Sequence, residues 1–221
     1  MLVRLLSLIV TLAVPAVAAA QTRTVAPGDP AAEAAPLRTE PLIQLLRRGG
    51  TVLVIRHERT EVPSPGDDYS QPTNCQVQRN LSVAGQAASR ETGAVLKILG
   101  IRVGRVLASP MCRTMETARL MFGRVDPSPR LMHDDAVGRT SAITGTDLRA
   151  QVEELRPAAG VNDVVMSHIG NIAAAYRFLP SEGEMAVMQR GPDGQLRMVG
   201  RIIPSNLDVH ARIALARGAG Q

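Results

Sequence analysis

Three short runs of apolar residues alternate with segments of helical periodicity along the chain. The runs occupy residues 51–55, 103–108 and 163–166. The first of them, Thr-Val-Leu-Val-Ile, is continuous and fits a strand that is buried on both faces of a parallel sheet. The other two each include one charged residue and are further candidates for buried strands. The segments with helical periodicity cover residues 41–48, 82–99, 109–122, 146–155 and 170–178. Ser82, Ser109 and Thr146 are suited to the N-cap positions of three of these helices, with Pro110 in the first helical position.

The alternation of strands and helices predicts an α/β fold. We expect a three-layer sandwich with a mostly parallel sheet and helices on both faces. Residues 184–190 and 196–203 flank a Gly-Pro-Asp-Gly turn and predict a hairpin, and the tail from Ser205 favours a helix. Residues 58–79 predict a long loop, which is often functional in a domain of this size. Ligands of such sheets bind beyond the carboxyl ends of the strands.

The N-terminal segment is predicted to be separate from the folded domain. Residues 1–20 combine Arg4, an apolar run of about ten residues, Pro15 and a series of small residues, which is typical of a secretory signal peptide. A retained N-terminal anchor is the alternative. Residues 21–38 favour a flexible linker, and residues 39–221 form the predicted domain. We therefore expect export across the inner membrane into the periplasm, with no stable membrane insertion after signal cleavage.

Composition narrows the choice of ligand. The chain has 25 Lys and Arg against 20 Asp and Glu, a net charge of +5, and Lys97 is its single lysine. Arginine offers a fixed fork of donors to phosphate, so this bias favours anionic substrates. Aromatic residues are scarce and no dense basic run occurs, which argues against nucleic acid as a partner. No ligand spacing for a structural metal is present, and neither a metal nor a cofactor is expected.

Two cysteines, Cys75 and Cys112, are the complete set in the sequence. An oxidising compartment favours a disulfide between them, and two separate thiols are the alternative.

Basic side chains follow each of the three predicted strands. Arg56 and His57 follow the first strand, Arg113 lies shortly after the second, and His168 follows the third. Because the carboxyl ends of parallel strands meet at one edge of a sheet, these four side chains are expected to converge. Two guanidinium groups and two imidazoles form a strong receptor for a tetrahedral dianion.

Four ordered motifs resemble those of the histidine phosphatase (phosphoglycerate mutase-like) superfamily. They are Arg-His-Glu-Arg-Thr at 56–60, Arg-Asn-Leu-Ser-Val-Ala-Gly-Gln-Ala at 79–87, Ser-Pro-x-x-Arg-Thr-x-x-Thr-Ala at 109–118 and Ser-His at 167–168. The set spans about residues 50–180 in the family's order. Glu58 departs from the usual glycine, and its carboxylate is expected beside the phosphate, where it would repel anions or restrict the substrate.

The chemistry of these residues and the resemblance together predict a metal-independent phosphomonoesterase. His57 attacks phosphorus and forms a phosphohistidine, while Arg56, Arg113 and His168 hold the phosphoryl oxygens. Further substrate-binding candidates are Arg59, Thr60, Arg79 and Asn171, the last of which could instead cap the helix after His168.

The general acid is less well determined by the sequence. Asp134 is the first candidate, and Asp135 and Glu184 are its rivals. His133 and His210 lie outside the motifs and are expected at the surface. The predicted partner is a phosphorylated small molecule or an envelope phosphate. The alternatives are a phosphomutase and a phosphate-binding pseudo-enzyme of the same fold. The sequence predicts no oligomeric state.

Overall fold

A computed structural model describes residues 38–62, 66–133 and 138–218. The predicted signal peptide, nearly all of the predicted linker, Asp134 and Asp135 lie outside these residues. The strands are β1 (Thr51–Arg56), β2 (Val103–Ala108), β3 (Asp126–Pro127), β4 (Asn162–Ser167), β5 (Met185–Arg190) and β6 (Leu196–Ile202). The helices are α1 (Thr39–Arg48), α2 (Val83–Ile98), α3 (Cys112–Phe122), α4 (Ser141–Glu153), α5 (Ile169–Tyr176) and α6 (Ser205–Gly218).

The six strands form one mixed sheet in the order β3-β2-β4-β1-β5-β6. Strands β3, β2, β4 and β1 are parallel, whereas β5 pairs with β1 in antiparallel fashion and forms the predicted hairpin with β6. Strand β1 is buried along nearly its whole length. Leu53 and Ile55 face the core under α1, α2, α3 and α6, while Val52 and Val54 face the core under α4 and α5. The predicted three-layer α/β fold is confirmed.

Two helix starts differ from the sequence prediction. Helix α3 begins at Cys112 and not at Pro110, because Ser109 still follows the sheet and donates its N–H to the Met166 carbonyl at 3.0 Å. Helix α4 begins at Ser141, and Thr146 lies inside it with its hydroxyl donating to the carbonyl of Ala142 at 2.9 Å. Thr146 is therefore a helix-interior residue and not an N-cap.

Helix α2 begins as predicted and lies directly against the segment that follows β1. The Ser82 hydroxyl caps the helix by accepting the N–H of Gly85 at 3.0 Å. A Cβ at Gly85 would lie 2.1 Å from the carbonyl oxygen of Arg59, so only glycine permits this approach. The helix thus fixes the main chain just beyond the predicted nucleophile.

A disulfide joins the long loop to the start of α3. Cys75 and Cys112 are bonded, with their Cα atoms 5.6 Å apart and 37 positions apart in the sequence. Beside the bridge, the side-chain carbonyl of Gln78 accepts the N–H of Cys112 at 3.1 Å. The loop is therefore anchored next to Arg113.

Loss of this disulfide should lower the free energy of unfolding. Closing a loop of 37 residues restricts the unfolded chain, which corresponds to about 4 kcal/mol at room temperature. Urea unfolding of a Cys75→Ser/Cys112→Ser variant beside the oxidised wild type measures the difference. Detection of two free thiols by mass spectrometry of the unreduced protein would contradict the bridge itself.

Candidate active site

The carboxyl ends of β1 and β4 bring the two predicted histidines together. Arg56 and Ser167 are register partners in the parallel pair, so His57 and His168 leave the sheet side by side. Their ring centroids are 5.6 Å apart, with an angle of 62° between the ring planes. Both side chains are almost completely buried, with 2% and 1% of their surface exposed.

A main-chain hydrogen bond fixes the tautomer of His57. The Nδ1 atom lies 2.8 Å from the carbonyl oxygen of Glu58. A carbonyl oxygen can only accept, so Nδ1 carries the proton and Nε2 keeps its lone pair. Burial lowers the pKa of His57 to about 3, and the charges of Arg113, Arg56 and Arg79 contribute in the same direction. The imidazole is therefore neutral at neutral pH and has the protonation state of a nucleophile.

His168 is held by a serine from the neighbouring strand end. Its Nε2 lies 2.8 Å from the hydroxyl of Ser109, which is itself fully buried. The pKa of His168 is well below its ordinary value because of burial and, next, the charge of Arg113. The Nδ1 atom is buried and makes no hydrogen bond to the described residues.

Three arginines surround the two imidazoles. The charge of Arg79 acts on Arg56, Arg113 and both histidines, which places all these groups within electrostatic range of one another. Within residues 38–62, 66–133 and 138–218, the Nε–H groups of Arg56, Arg79 and Arg113 are buried without a hydrogen-bond partner. Buried donors without an acceptor are rare in folded proteins, and a tetrahedral oxyanion is an acceptor that fits them.

Each of two arginines is oriented by contacts at its outer end. Arg56 donates from Nη1 to the Pro180 carbonyl at 2.9 Å, and its Nη2 lies 3.7 Å from Glu182. Arg113 is 1% exposed and donates from Nη1 to Oδ1 of Asp67 at 2.9 Å. Burial lowers the pKa of both guanidinium groups.

Asp67 is a member of this site that sequence analysis did not identify. Its side chain is 5% exposed, and its Oδ1 also accepts the main-chain N–H of Arg79 at 2.9 Å. The hydroxyl of Tyr69 donates to Oδ2 at 3.3 Å. The unusual length of the loop was the only sequence signal for these residues, since no periodicity links Asp67 to Arg113.

His133 is a second such residue, and its predicted surface position is wrong. It is half-buried, and its ring stacks on Tyr69 with the centroids 5.4 Å apart and the planes 14° from parallel. The ring also contacts His168 edge to face at 5.2 Å. His210 is also half-buried, where the sequence predicted a surface position, and it lies on α6 with its Nδ1 2.9 Å from the carboxylate of Glu40.

The remaining sequence candidates have more varied positions. Asn171 is fully buried and donates to the carbonyl of Met132 at 2.8 Å, and its Oδ1 has no hydrogen-bond partner in the described part of the chain. Thr60 forms an isolated antiparallel bridge with Leu81. The Glu184 carboxylate accepts the N–H of Ser181 at 2.8 Å and lies 3.3 Å from Arg201 of β6.

Glu58 and Arg59 line a second cavity of about 360 Å³, together with residues of α2 and α6. The Glu58 carboxylate is buried against Gly183, where a Cβ would lie 2.1 Å from its Oε1. Burial raises the pKa of this carboxyl, and its Oε2 accepts the N–H of Arg59 at 3.3 Å. The side chain of Arg59 is more than half exposed. The structure thus associates the Glu58 carboxylate with this cavity, although its charge still acts on Arg56.

The described residues contain neither a metal-binding cluster nor a membrane-spanning helix. No group of three or more His, Cys, Asp or Glu side chains is arranged to hold a metal ion there. Among the same residues, no helix has the length and hydropathy needed to cross a bilayer.

The buried histidines should make stability fall in mild acid. In the folded protein His57 has a pKa of about 3, whereas in the unfolded chain its pKa is near 6.5. Between these two values the unfolded state binds a proton that the folded state does not bind, which favours unfolding. The part of the unfolding free energy that depends on neutral His57 is complete above the pKa of the unfolded state and declines as the pH falls below that value. Between about pH 7 and about pH 5, the wild type should lose about 2 kcal/mol more unfolding free energy than a His57→Gln variant. Urea unfolding in phosphate-free buffer measures this, and equal losses would contradict it.

The sequence matches no protein-family model and no curated protein. Several solved structures are similar. The phosphoserine phosphatase of Entamoeba histolytica with 3-phosphoglyceric acid is 15% identical over 71% of this chain and 98% of its own, with a TM-score of 0.51. A mycobacterial glucosyl-3-phosphoglycerate phosphatase is 15% identical over 69% and 96%, with a TM-score of 0.49. The protein histidine phosphatase SixA with tungstate is 20% identical over 71% and 99%, with a TM-score of 0.46.

The likeness to the Entamoeba structure shows a common architecture across nearly all of that protein. The ordered motifs at 56–60, 79–87, 109–118 and 167–168 agree with this assignment. The chain has the same α/β fold as that phosphatase structure.

Proposed function

We propose that this protein is an exported, metal-independent phosphomonoesterase that forms a covalent phosphohistidine on His57. One observation carries the proposal. His57 is buried and neutral, and its Nε2 lone pair is left available by the hydrogen bond from Nδ1 to the Glu58 carbonyl. The buried donors of three arginines and the second imidazole lie around it.

The reaction proceeds in two steps, which are phosphoryl transfer to His57 and hydrolysis of the phosphohistidine. The Nε2 lone pair of His57 forms a bond to phosphorus while the bond to the leaving oxygen breaks, and a general acid gives that oxygen a proton. Water then attacks phosphorus while the deprotonated acid takes up one of its protons, the nitrogen–phosphorus bond breaks, and inorganic phosphate leaves. Arg56, Arg79, Arg113 and His168 donate hydrogen bonds to the phosphoryl oxygens and stabilise the charge that grows in each transition state.

The arginines take the electrostatic role that a metal ion has in other phosphatases. Three guanidinium groups supply fixed positive charge at the phosphoryl oxygens, and a histidine nucleophile needs no metal-bound hydroxide. Glu184 is occupied by Ser181 and Arg201 at the start of β5, which weakens it as a candidate general acid. Asp134, the first candidate from the sequence, lies outside the described residues.

Export is proposed on two observations. Residues 1–20 have the composition of a signal peptide. The Cys75–Cys112 disulfide is of the kind that persists in oxidising compartments, of which the periplasm is one. The proposed substrate is a phosphorylated small molecule or an envelope phosphate, with no nucleic acid as a partner. N-terminal mass analysis of protein recovered from the periplasm tests the cleavage.

Replacing His57 should abolish turnover. His57→Ala removes the nucleophile, so hydrolysis of para-nitrophenyl phosphate should fall by about 10³-fold or more, and no phosphoenzyme should form. His210→Ala, which changes a histidine on α6 far along the chain from the motifs, is the matched control and should keep wild-type activity. The measurement is steady-state hydrolysis together with quench trapping of an acid-labile, base-stable phosphoenzyme.

Three results would count against the proposal. They are full activity of His57→Ala, no turnover by the wild type despite phosphate binding, and loss of activity on chelation. Transfer of the phosphoryl group to an added acceptor in preference to water would favour the mutase.

Replacing Arg113 should impair catalysis without loss of the fold. Lysine keeps the positive charge but has a single nitrogen, so it cannot donate to Asp67 and to the phosphoryl oxygens from separate nitrogens as the planar guanidinium group can. Arg113→Lys should therefore lower kcat/KM by about 10²–10³-fold. Arg119→Lys on the exposed face of the same helix is the matched control. Equal activity of the two variants would exclude Arg113 from the site.

A further inference from the structure

We propose that His133 is the general acid that gives its proton to the leaving-group oxygen, and that Tyr69 holds its ring for this purpose. The inference rests on the proposed phosphatase function. It assigns a role to a residue outside all four motifs, in a part of the site for which the sequence suggested only carboxylates.

The position of His133 relative to the other imidazoles is the first observation. His168 contacts His57 at 5.6 Å and His133 at 5.2 Å between ring centroids. His168 donates to an equatorial phosphoryl oxygen in the proposed mechanism, so the phosphoryl group lies against it. An in-line displacement places the leaving oxygen opposite the nucleophile. His57 and His133 both contact the ring of His168, so a leaving group that extends from the phosphoryl group toward His133 would lie beside its ring.

The second observation is that the chain just before His133 is fixed by two buried side chains, one at the end of β4 and one in α5. The hydroxyl of Ser167 donates to the carbonyl of Leu131 at 3.3 Å, and Asn171 donates to the carbonyl of Met132 at 2.8 Å. Both side chains are fully buried. Two polar groups beside His168 thus position the segment that carries His133, which explains the burial of Asn171.

The third observation is that the ring of His133 is connected to the phosphate-binding groups through the long loop. Tyr69 stacks on His133 with nearly parallel planes and donates its hydroxyl to Asp67. Asp67 in turn accepts from Arg113. Arginine, carboxylate, phenol and imidazole form one continuous chain of contacts. A side chain with only a surface role needs no such support.

The chemistry of an imidazole suits this task. Histidine exchanges a proton near neutral pH, so the same group can act as acid in one step and as base in the next. As the phosphorus–oxygen bond breaks, protonated His133 transfers its proton to the leaving oxygen. Neutral His133 then accepts a proton from the water that attacks the phosphohistidine, which restores both histidines. Among residues 38–62, 66–133 and 138–218, the charged or titratable groups that contact His133 directly or through Tyr69 include His168, Tyr69, Asp67 and Arg113, and the charge of Arg79 acts on His168.

Dependence on the leaving group provides the test. A general acid matters most when the leaving oxygen is basic, so His133→Gln should lower kcat/KM for phenyl phosphate by about 10²–10⁴-fold. The same variant should keep nearly the wild-type kcat/KM for dinitrophenyl phosphate, because phosphoryl transfer to His57, the step that kcat/KM reports, needs no proton donor for that leaving group. His133→Phe keeps a ring for stacking on Tyr69 but has no proton to donate, and it should behave as His133→Gln does.

Other outcomes would overturn the assignment. A uniform loss across the two substrates, or wild-type behaviour of His133→Phe, would reduce His133 to a structural role. A steeper leaving-group dependence in Asp134→Asn than in His133→Gln would assign the acid to the neighbouring carboxylate. These results are separable from failure of the proposed function, in which the wild type itself would turn over neither substrate and form no phosphoenzyme.

Discussion

The hydrogen bond from His57 Nδ1 to the carbonyl of Glu58 is the constraint on which the site depends. It decides which nitrogen carries the proton, and a buried imidazole surrounded by cations stays neutral. Without this bond the two tautomers would compete, and only one of them presents a lone pair at Nε2. The sheet contributes by placing His57 and His168 at adjacent strand ends, where parallel pairing leaves little freedom in their separation.

The cationic side of the site is oriented by a carboxylate from another part of the chain. Arg113 and Asp67 are both almost completely buried, and such a pair gains little net stability because both charges lose their hydration. The contact is better understood as a means of orientation. It occupies one nitrogen of the guanidinium group and leaves Nε, which has no partner among the described residues, for a ligand. The disulfide at Cys112 fixes the loop that carries Asp67 beside the helix that carries Arg113.

The sequence predicted the parts of the site that belong to regular elements. The apolar runs located β1, β2 and β4, and the residues after them met at one edge because parallel strands end together. The residues of the site that lie on loops were not predicted. Asp67, Tyr69 and His133 meet through contacts between distant segments that leave no periodic signal. Ser109 was predicted as a helix cap, but its hydrogen bonds to β4 and His168 prevail over the local preference of a Ser-Pro pair.

The atom that locks His57 belongs to the main chain of residue 58 and not to its side chain. The tautomer of His57 therefore places no demand on which amino acid stands at that position. Here the position bears a glutamate, whose carboxylate lines the cavity between α2 and α6. The side chain at position 58 thus shapes the wall of this second cavity, while the main chain of the same residue fixes the tautomer of His57.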